Sequence, residues 1–305
     1  RDGAPDGSGG PDPVDADLAP DPTTPPGSAS SSGPAAGPVA GPVAGPPGSP
    51  VADPASTEPP AAATDRTLLQ RVLDSTPLTL FLAAHPRQAI ATAVILASAA
   101  LVSGRPVREA AIVLVTVLVG QAILGWHNDL VDRERDAKHR TPRKPIAEGR
   151  LDPGSVWYAL IIALLLVIPL SISVGVTAGT FYLASLVIGI LGNVVLRRGR
   201  ASPLPWMASF ALYPFYLSYG GYGGAAEGDA PQVAVVVVSA LLGIGVHFLR
   251  AIWGLVEDDQ DGWTYLPLVL GRRLGATRLL QVSTAYTAAV VALLVILGSS
   301  IGLRQ

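Results

Sequence analysis

The sequence predicts an all-α membrane protein, a polytopic bundle of transmembrane helices that follows a disordered N-terminal tail. Of its 305 residues, 49% are hydrophobic and only 14% are charged, and the mean hydropathy is +0.43. A water-soluble globule of this size needs more polar residues to cover its surface. Long uncharged stretches are the second observation, because about 20 apolar residues suffice to cross a bilayer.

Composition also excludes several kinds of site. The chain has no cysteine, which rules out disulfides and thiolate metal ligands, and its 4 scattered histidines argue against a zinc site. The net charge of −2 gives no sign of nucleic-acid binding. Nineteen of the 21 basic residues are arginine, a bias typical of a GC-rich bacterial genome.

The N-terminal segment differs in composition from the rest of the chain. Residues 1–65 hold 16 of the 28 prolines and no aromatic residue, and Ala-Gly-Pro-Val occurs at 36–39 and again at 40–43. Such a segment buries too little apolar area to fold, so we expect a disordered Pro/Gly/Ala-rich tail. Residues 66–305 then form the transmembrane domain, and residues 67–84 predict an interfacial helix that leads into it.

Seven transmembrane helices are predicted. The spans lie at 88–104, 110–128, two within 153–196 with a turn at 171–179, 204–220, 231–253 and 279–300. The loops between them differ strongly in charge. One face carries Arg133, Arg135, Lys138, Arg140, Arg143, Lys144, Arg150, Arg197, Arg198, Arg200, Arg272, Arg273 and Arg278. The positive-inside rule makes that face and the N-terminus cytoplasmic, in a membrane that we expect to be the bacterial cytoplasmic (inner) membrane.

The first acidic motif lies where the second span meets the basic face. On a helix, Asp129, Asp132 and Asp136 stand at i, i+3 and i+7 and project from one face, with Asn128 four residues before Asp132. Carboxylates at such a place are costly without a counter-ion, so this face is predicted to hold a hard cation. The alternative is a salt-bridged helix end, in which Asp132 pairs with Arg135 or Asp136 pairs with Arg140.

A basic loop follows the motif directly. Magnesium ions bind through a few carboxylates and phosphate oxygens, and basic side chains add contacts to the remaining oxygens. The loop cations Lys138, Arg140, Arg143 and Lys144 are therefore candidates to bind a diphosphate. Ordinary positive-inside topology is the alternative explanation for them.

A second acidic segment, Glu257 to Asp261, follows His247 and Arg250 near the end of another span. Glu257 and Asp261 are four residues apart and Asp258 and Asp261 are three apart, so either pair could share a metal ion from one helix face. Asp261-Gly262 predicts that the helix breaks there. A solvated acidic turn is the alternative.

These residues resemble the UbiA-type intramembrane prenyltransferase family, whose first signature is Asn-Asp-x-x-Asp-x-x-x-Asp. Residues 128–136 match the signature in full. Residues 144–151 look like the family's basic-proline stretch with its Gly-Arg, and residues 258–275 look like its second acidic loop. The resemblance covers roughly residues 75–300.

The resemblance implies a helical bundle with a central cavity and magnesium-dependent ionisation of an isoprenyl diphosphate. Carried over by position, Asn128, Asp129, Asp132 and Asp136 would hold Mg²⁺, and the three aspartates would be the catalytic residues. Arg143, Lys144 and Arg197 would hold the leaving diphosphate. The donor would be a polyprenyl diphosphate and the acceptor a small lipophilic molecule, most often aromatic or a quinone precursor.

The chain departs from the family pattern at several places. Gly254 stands where the second motif begins with an aspartate, Arg250 stands where a polar amide or acid is common, and Gly192 stands where a tyrosine is frequent. Seven spans instead of the usual nine predict a missing C-terminus or a bundle open on one side. The first residue, Arg1, suggests an incomplete reading frame.

Three alternatives to prenyl transfer remain open from the sequence. A terpene cyclase of the same fold would capture the cation with double bonds of the same chain. A transport or lipid-binding protein would hold a cation or headgroup without chemistry, and would place its acids nearer the middle of the membrane. An inactive or truncated paralogue is the third.

Two groups of aromatic residues have more ordinary explanations than catalysis. Tyr213, Tyr216, Tyr219 and Tyr222 are predicted to form an aromatic belt near the outer membrane interface. His247 lies in an apolar helix and is predicted to be a packing residue.

Overall fold

The structure, a computed structural model, describes residues 75–221 and 227–301 and is all-helical within them. The predicted tail at 1–65, the first part of the predicted interfacial helix and Tyr222 lie outside these residues. The helices are α1 (Thr76–Ala83), α2 (Pro86–Val102), α3 (Val107–His139), α4 (Pro153–Ile172), α5 (Val176–Gly192), α6 (Pro203–Tyr219), α7 (Val233–Ala251), α8 (Leu255–Gln260), α9 (Leu266–Leu274) and α10 (Ala276–Ile301).

The predicted spans coincide with α2 to α7 and α10, and the all-α membrane fold is confirmed. By length and composition, four helices can cross a membrane: α3, α4, α7 with its continuation to Gln260, and α10. A fifth span results if α1 and α2, which meet at a 62° bend, count as one. Helices α5 and α6 have 17 residues each, about 26 Å, which is slightly short of the hydrocarbon core.

Local sequence explains where the helices begin and end. Asp152 caps α4 by accepting a hydrogen bond from Ser155 N at 2.8 Å, and proline follows at the first helical position. The turn after α4 is shorter than predicted, because α5 already begins at Val176. Gly262, with φ +71°, ends the α8 segment where Asp-Gly predicted a break.

The long helices pack in chain order and close around a cavity. Each of α2 to α6 packs on the next helix, α7 packs on α6 and α10, and α2 also contacts α6. The interior holds a cluster of buried apolar residues that includes Val113, Val117 and Tyr182. The outer surface is apolar as well, with side chains such as Leu165 and Val295 about two-thirds exposed, as expected where lipid is the solvent.

Two glycines allow helices next to the cavity to approach closely. A Cβ atom on Gly243 of α7 would lie 2.4 Å from the backbone oxygen of Trp206 on α6. A Cβ atom on Gly125 of α3 would lie 2.9 Å from the backbone carbon of Ala84, at the bend between α1 and α2. These contacts fix Trp206 and the bend at the wall of the cavity.

Candidate active site

The first acidic motif lies in the last third of α3, and its three aspartates are buried. Asp129 is 1% exposed, Asp132 is 8% exposed and Asp136 is 5% exposed. Their helical spacing places them on one inward face, as predicted. Isolated carboxylates at this depth would be unstable, so their partners define the site.

Lys144 connects the basic loop to this face. Its Nζ donates a hydrogen bond to Asp129 Oδ1 at 2.6 Å and lies 3.3 Å from Asp136 Oδ2. Burial disfavours the charged amine, but Asp129 and Asp136 together outweigh that effect and raise the pKa of Lys144. Lys144 is therefore a permanent cation at neutral pH.

The backbone of the loop turns sharply to bring Lys144 back to α3. Arg140, which ends α3, and Arg143 both adopt left-handed backbone conformations, with φ of +52° and +64°. Their side chains are exposed and form no ion pair within the described residues. The structure thus brings Lys144, but not Arg140 or Arg143, into contact with the motif.

Asp132 is held by a residue from a different part of the chain. Arg197, after α5, donates a hydrogen bond from NH1 to Asp132 Oδ1. Asn128 Nδ2 donates to Asp132 Oδ2 at 2.6 Å across one helical turn. The two ion pairs of a plain salt-bridged helix end are not formed. Asp132 pairs with Arg197 and not with Arg135, and Asp136 pairs with Lys144 and not with Arg140.

His85 is a site residue that the sequence did not single out. It occupies the bend between α1 and α2, with φ +52°, and its Nε2 lies 2.9 Å from Asp129 Oδ1. The only signal for it is His85-Pro86, because the residue before a proline is biased away from the helical conformation and marks a break.

The second acidic segment contacts the same helix through Arg135, another residue that the sequence did not assign to the site. Arg135 Nε donates to Asp261 Oδ2 at 2.5 Å, and Arg135 NH2 donates to Asp258 Oδ1 at 2.6 Å. Asp261 also accepts from Lys138 at 2.8 Å. Lys138 thus contacts the second acidic segment and not the first. Metal binding by Asp258 and Asp261 stays a prediction.

Trp263 packs over the cations between the two segments. The guanidinium carbons of Arg135, Arg197 and Arg198 lie 4.5, 5.2 and 5.4 Å from the centre of its ring. Such cation–π contacts favour ordered guanidinium groups. The backbone closes the same region, because Thr264 N donates to Arg198 O at 3.0 Å.

A cavity of about 340 Å³ begins beside Asn128 and His85. Its walls come from α2, α3, α5, α6 and α7, and they become apolar and aromatic away from the acidic residues. The lining includes Ile95, Leu124, Gly192, Phe210, Tyr213 and Val246. This volume lies in the range typical of small-ligand pockets.

Arg250 and Trp206 form one wall of the cavity. The guanidinium carbon of Arg250 lies 5.4 Å from the centre of the Trp206 ring, and the side chain forms no ion pair within the described residues. Trp206 stacks on His247, whose Nε2 lies 2.9 Å from Ser202 Oγ. His247 is 8% exposed and is a packing residue, as predicted.

The predicted aromatic belt is wrong for two of its tyrosines, because α6 turns them inward. Tyr213 is 9% exposed and lines the cavity. Tyr216 is 0% exposed and packs against Tyr182, with ring centres 4.9 Å apart.

The donor set of the first motif fits a magnesium ion. Asp129 Oδ2 is buried and has no hydrogen-bond partner among the described residues. Carboxylate and amide oxygens are the ligands that magnesium prefers, and it needs only one or two carboxylates when substrate phosphates complete the shell. No group of three or more acidic or histidine side chains forms a ready-made metal cage in the described part of the chain.

Comparisons with known proteins concern the fold and the family of the chain. A solved structure of a UbiA homolog from Archaeoglobus fulgidus, bound to GPP and Mg2+, has a TM-score of 0.54 and 17% identity, and the alignment covers 70% of this chain and 76% of that one. At this identity the likeness concerns the fold alone. Curated proteins give no match. The sequence model of the UbiA prenyltransferase family matches residues 89–303, which include both acidic segments and the basic loop, and the chain belongs to that family.

Proposed function

We propose that this integral membrane protein transfers an isoprenyl group from a polyprenyl diphosphate to a small aromatic or quinone-precursor acceptor, and that the reaction depends on magnesium. One observation carries the proposal. Three buried carboxylates on α3 are paired with cations from the basic loop and from the end of α5, and two of them contact His85 and Asn128, which line an apolar cavity.

Asp129, Asp132 and Asp136, with Asn128, would hold the magnesium ion. When bound, magnesium neutralises the negative charge that grows on the diphosphate as the carbon–oxygen bond breaks. Asp129 Oδ2 supports this assignment, because it is buried and accepts no hydrogen bond from the described residues. Asp136 Oδ2 is also buried without a hydrogen bond there, and Lys144 Nζ lies 3.3 Å from it.

Lys144 and Arg197 would bind the leaving diphosphate. Both cations already contact the carboxylates of the motif, at Asp129 and Asp132. Small movements of these side chains would exchange a carboxylate oxygen for a phosphate oxygen, and arginine can contact two such oxygens at once. Lys138, Arg140 and Arg143 remain candidates for outer contacts with the same group.

The cavity would hold the prenyl chain and exclude water. As the carbon–oxygen bond breaks, its electron pair leaves with the diphosphate and the prenyl group becomes an allylic cation. The acceptor supplies the electron pair for the new bond and then loses one proton. The aromatic walls at Phe210 and Tyr213 would lower the energy of the cation through their ring faces.

The position of the acids favours this reaction over transport or passive binding. A transport site would place its carboxylates near the middle of the helix, whereas these aspartates lie in the last third of α3. We also propose that this end of the bundle faces the cytoplasm of a bacterial inner membrane. The cations of the basic loop support that orientation.

The test is diphosphate release by the purified protein in detergent, with and without magnesium, from isoprenyl diphosphates of several lengths. Asp129→Asn should reduce kcat/KM by at least about 100-fold and raise the magnesium concentration that is needed. Glu134→Gln is the matched control, because Glu134 belongs to the same segment of α3 but is 86% exposed. Release that needs neither magnesium nor Asp129 would refute the proposal.

An acceptor screen separates prenyl transfer from the cyclase alternative. Prenyl transfer predicts that products contain the acceptor and that release accelerates when the acceptor is present. Release at full rate with a cyclic hydrocarbon as the product would identify a cyclase. No release from a folded sample at any chain length would favour the binding or inactive alternatives.

A further inference from the structure

Arg135 bridges the two aspartates of the second acidic segment as a metal ion would. Its Nε contacts Asp261 Oδ2 at 2.5 Å and its NH2 contacts Asp258 Oδ1 at 2.6 Å. The two carboxylates are about one-tenth exposed. A single cation thus lies between two nearly buried acids that come from another part of the chain.

The remaining oxygens of these two carboxylates are also occupied. Tyr265 Oη donates to Asp258 Oδ2. Lys138 Nζ lies 2.8 Å from Asp261 Oδ1, and His139 Nε2 lies 3.0 Å from the same atom. All four carboxylate oxygens therefore have a partner in the protein, whereas Asp129 Oδ2 of the first motif has no hydrogen-bond partner in the described part of the chain.

Trp263 holds the guanidinium group in this position. Its ring centre lies 4.5 Å from the guanidinium carbon of Arg135, and its backbone N donates to Asp258 O at 3.0 Å. The indole and the carboxylates contact different parts of the same planar group. This geometry suits arginine, whose flat fork can stack and form hydrogen bonds together.

The segment lacks one of the acids that the family resemblance places there. Gly254 stands where the family resemblance places an aspartate, and a Cβ atom on it would lie 3.1 Å from Asp258 Oδ2. A carboxylate at that position would thus stand directly beside Asp258. Without it, Asp258 and Asp261 face Arg135 and Lys138, so two cations balance the charges of these two acids.

We propose that the Arg135 guanidinium replaces a metal ion at the second acidic segment, so that the chain binds magnesium at the first motif alone. The proposal rests on the proposed function only for the first motif. Arg135 Nε and NH2 hold the segment against α3, and NH1, which has no carboxylate partner among the described residues, would contact an oxygen of the diphosphate. Arg135 would then supply a positive charge that belongs to the chain itself, whereas a metal ion has to bind from solution.

The test counts bound metal and does not measure turnover. Mn²⁺, which binds magnesium sites and is visible by electron paramagnetic resonance, is titrated into the detergent-purified protein with the unreactive analogue geranyl S-thiolodiphosphate. The wild-type chain should bind about one Mn²⁺. Asp258→Asn should leave that number unchanged, whereas Asp132→Asn should weaken Mn²⁺ binding at least tenfold.

Arg135→Gln is the converse variant, with Arg133→Gln as its control. Removal of the guanidinium leaves Asp258 and Asp261 without their shared cation, so a second Mn²⁺ should bind to Arg135→Gln. Arg133 lies two residues away and pairs only with the exposed Glu134 in the described residues, so its variant should still bind about one ion.

Two bound Mn²⁺ in the wild-type chain, one of which Asp258→Asn removes, would overturn the proposal. That result would leave the prenyl-transfer reaction intact, since the reaction is judged by diphosphate release and by Asp129→Asn. Because the count on Asp258→Asn does not require Arg135→Gln to fold, the proposal stays testable if that variant is unstable.

Discussion

Lys144 Nζ lies 2.6 Å from Asp129 Oδ1, and this ion pair joins the loop after α3 to the buried face of the same helix. The two residues are 15 positions apart, with two left-handed residues between them. The loop therefore places the Lys144 ammonium group beside the buried aspartates of α3. The positive charge of Lys144 thereby compensates the buried negative charge of Asp129.

Replacement of Lys144 by glutamine should reduce kcat/KM for the isoprenyl diphosphate by about 100-fold to 1,000-fold, because a positioned cation facing the developing charge is lost. Diphosphate-release kinetics measure the effect. Arg150→Gln is the control, since Arg150 pairs with Glu148 and lies outside the site. Equal losses in the two variants would mean that loop charge as a whole matters, and not Lys144.

The position of Arg250 in the cavity wall predicts that the protein prefers an anionic acceptor. Its guanidinium faces the cavity without a carboxylate partner among the described residues, and Trp206 beside it can stack on a planar ring. Arg250→Gln should raise the KM for a carboxylate-bearing acceptor by roughly 10-fold to 100-fold, the loss expected for one charge-assisted hydrogen bond.

The matching amide of the same acceptor should show no such change, and the KM for the diphosphate should stay constant. Arg278→Gln provides a control, because Arg278 is an exposed arginine on α10. A raised KM for the diphosphate in Arg250→Gln would instead assign Arg250 to the leaving group.

Acid should loosen the second acidic segment. Hydrogen bonds from Lys138, Arg135 and His139 hold the pKa of Asp261 well below its usual value of 3.8. A carboxyl group with a depressed pKa stabilises the fold above its unfolded pKa, and that contribution disappears as the pH falls through the folded pKa.

In detergent, the midpoint temperature of thermal unfolding should therefore be higher for wild type than for Asp261→Asn. The difference between the two midpoints should be constant between about pH 5 and pH 7 and should shrink below about pH 4. A margin that is constant down to about pH 3 would show that Asp261 contributes through packing and not through charge.

Gly243 should tolerate no side chain. A methyl group there would lie 2.4 Å from the backbone oxygen of Trp206, so α6 and α7 would have to separate. Gly243→Ala should lower the free energy of unfolding by about 1–3 kcal/mol. Gly199→Ala is the matched control, because no atom lies within 4 Å of the added methyl group. Thermal unfolding compares the two, and equal midpoints would refute the predicted clash.

Helical periodicity explains how much of the site could be predicted. Asp129, Asp132 and Asp136 were expected on one face because three and seven residues are close to whole helical turns, and the structure places them there. Apolar stretches of sufficient length predicted where the helices lie. In lipid, the α-helix is the conformation in which a single segment forms all of its own backbone hydrogen bonds.

The partners of the carboxylates could not be predicted in this way. His85 reaches Asp129 across 44 residues, and Arg135 reaches Asp261 across 126. Such contacts depend on how helices pack and on how loops return, and neither leaves a periodic signal. The alternative of a salt-bridged helix end paired Asp132 with Arg135 because they are three residues apart, whereas Arg135 contacts Asp258 and Asp261.

Trp263 gives the protein a built-in optical reporter. Its indole touches Arg135, Arg197 and Arg198, and Arg197 also binds Asp132. Any ligand that draws Arg197 away from Asp132 must alter the electric field at this ring. With the other four tryptophans of the chain replaced by phenylalanine, the emission of Trp263 would follow the filling of the site in real time, without a label or a radioactive substrate.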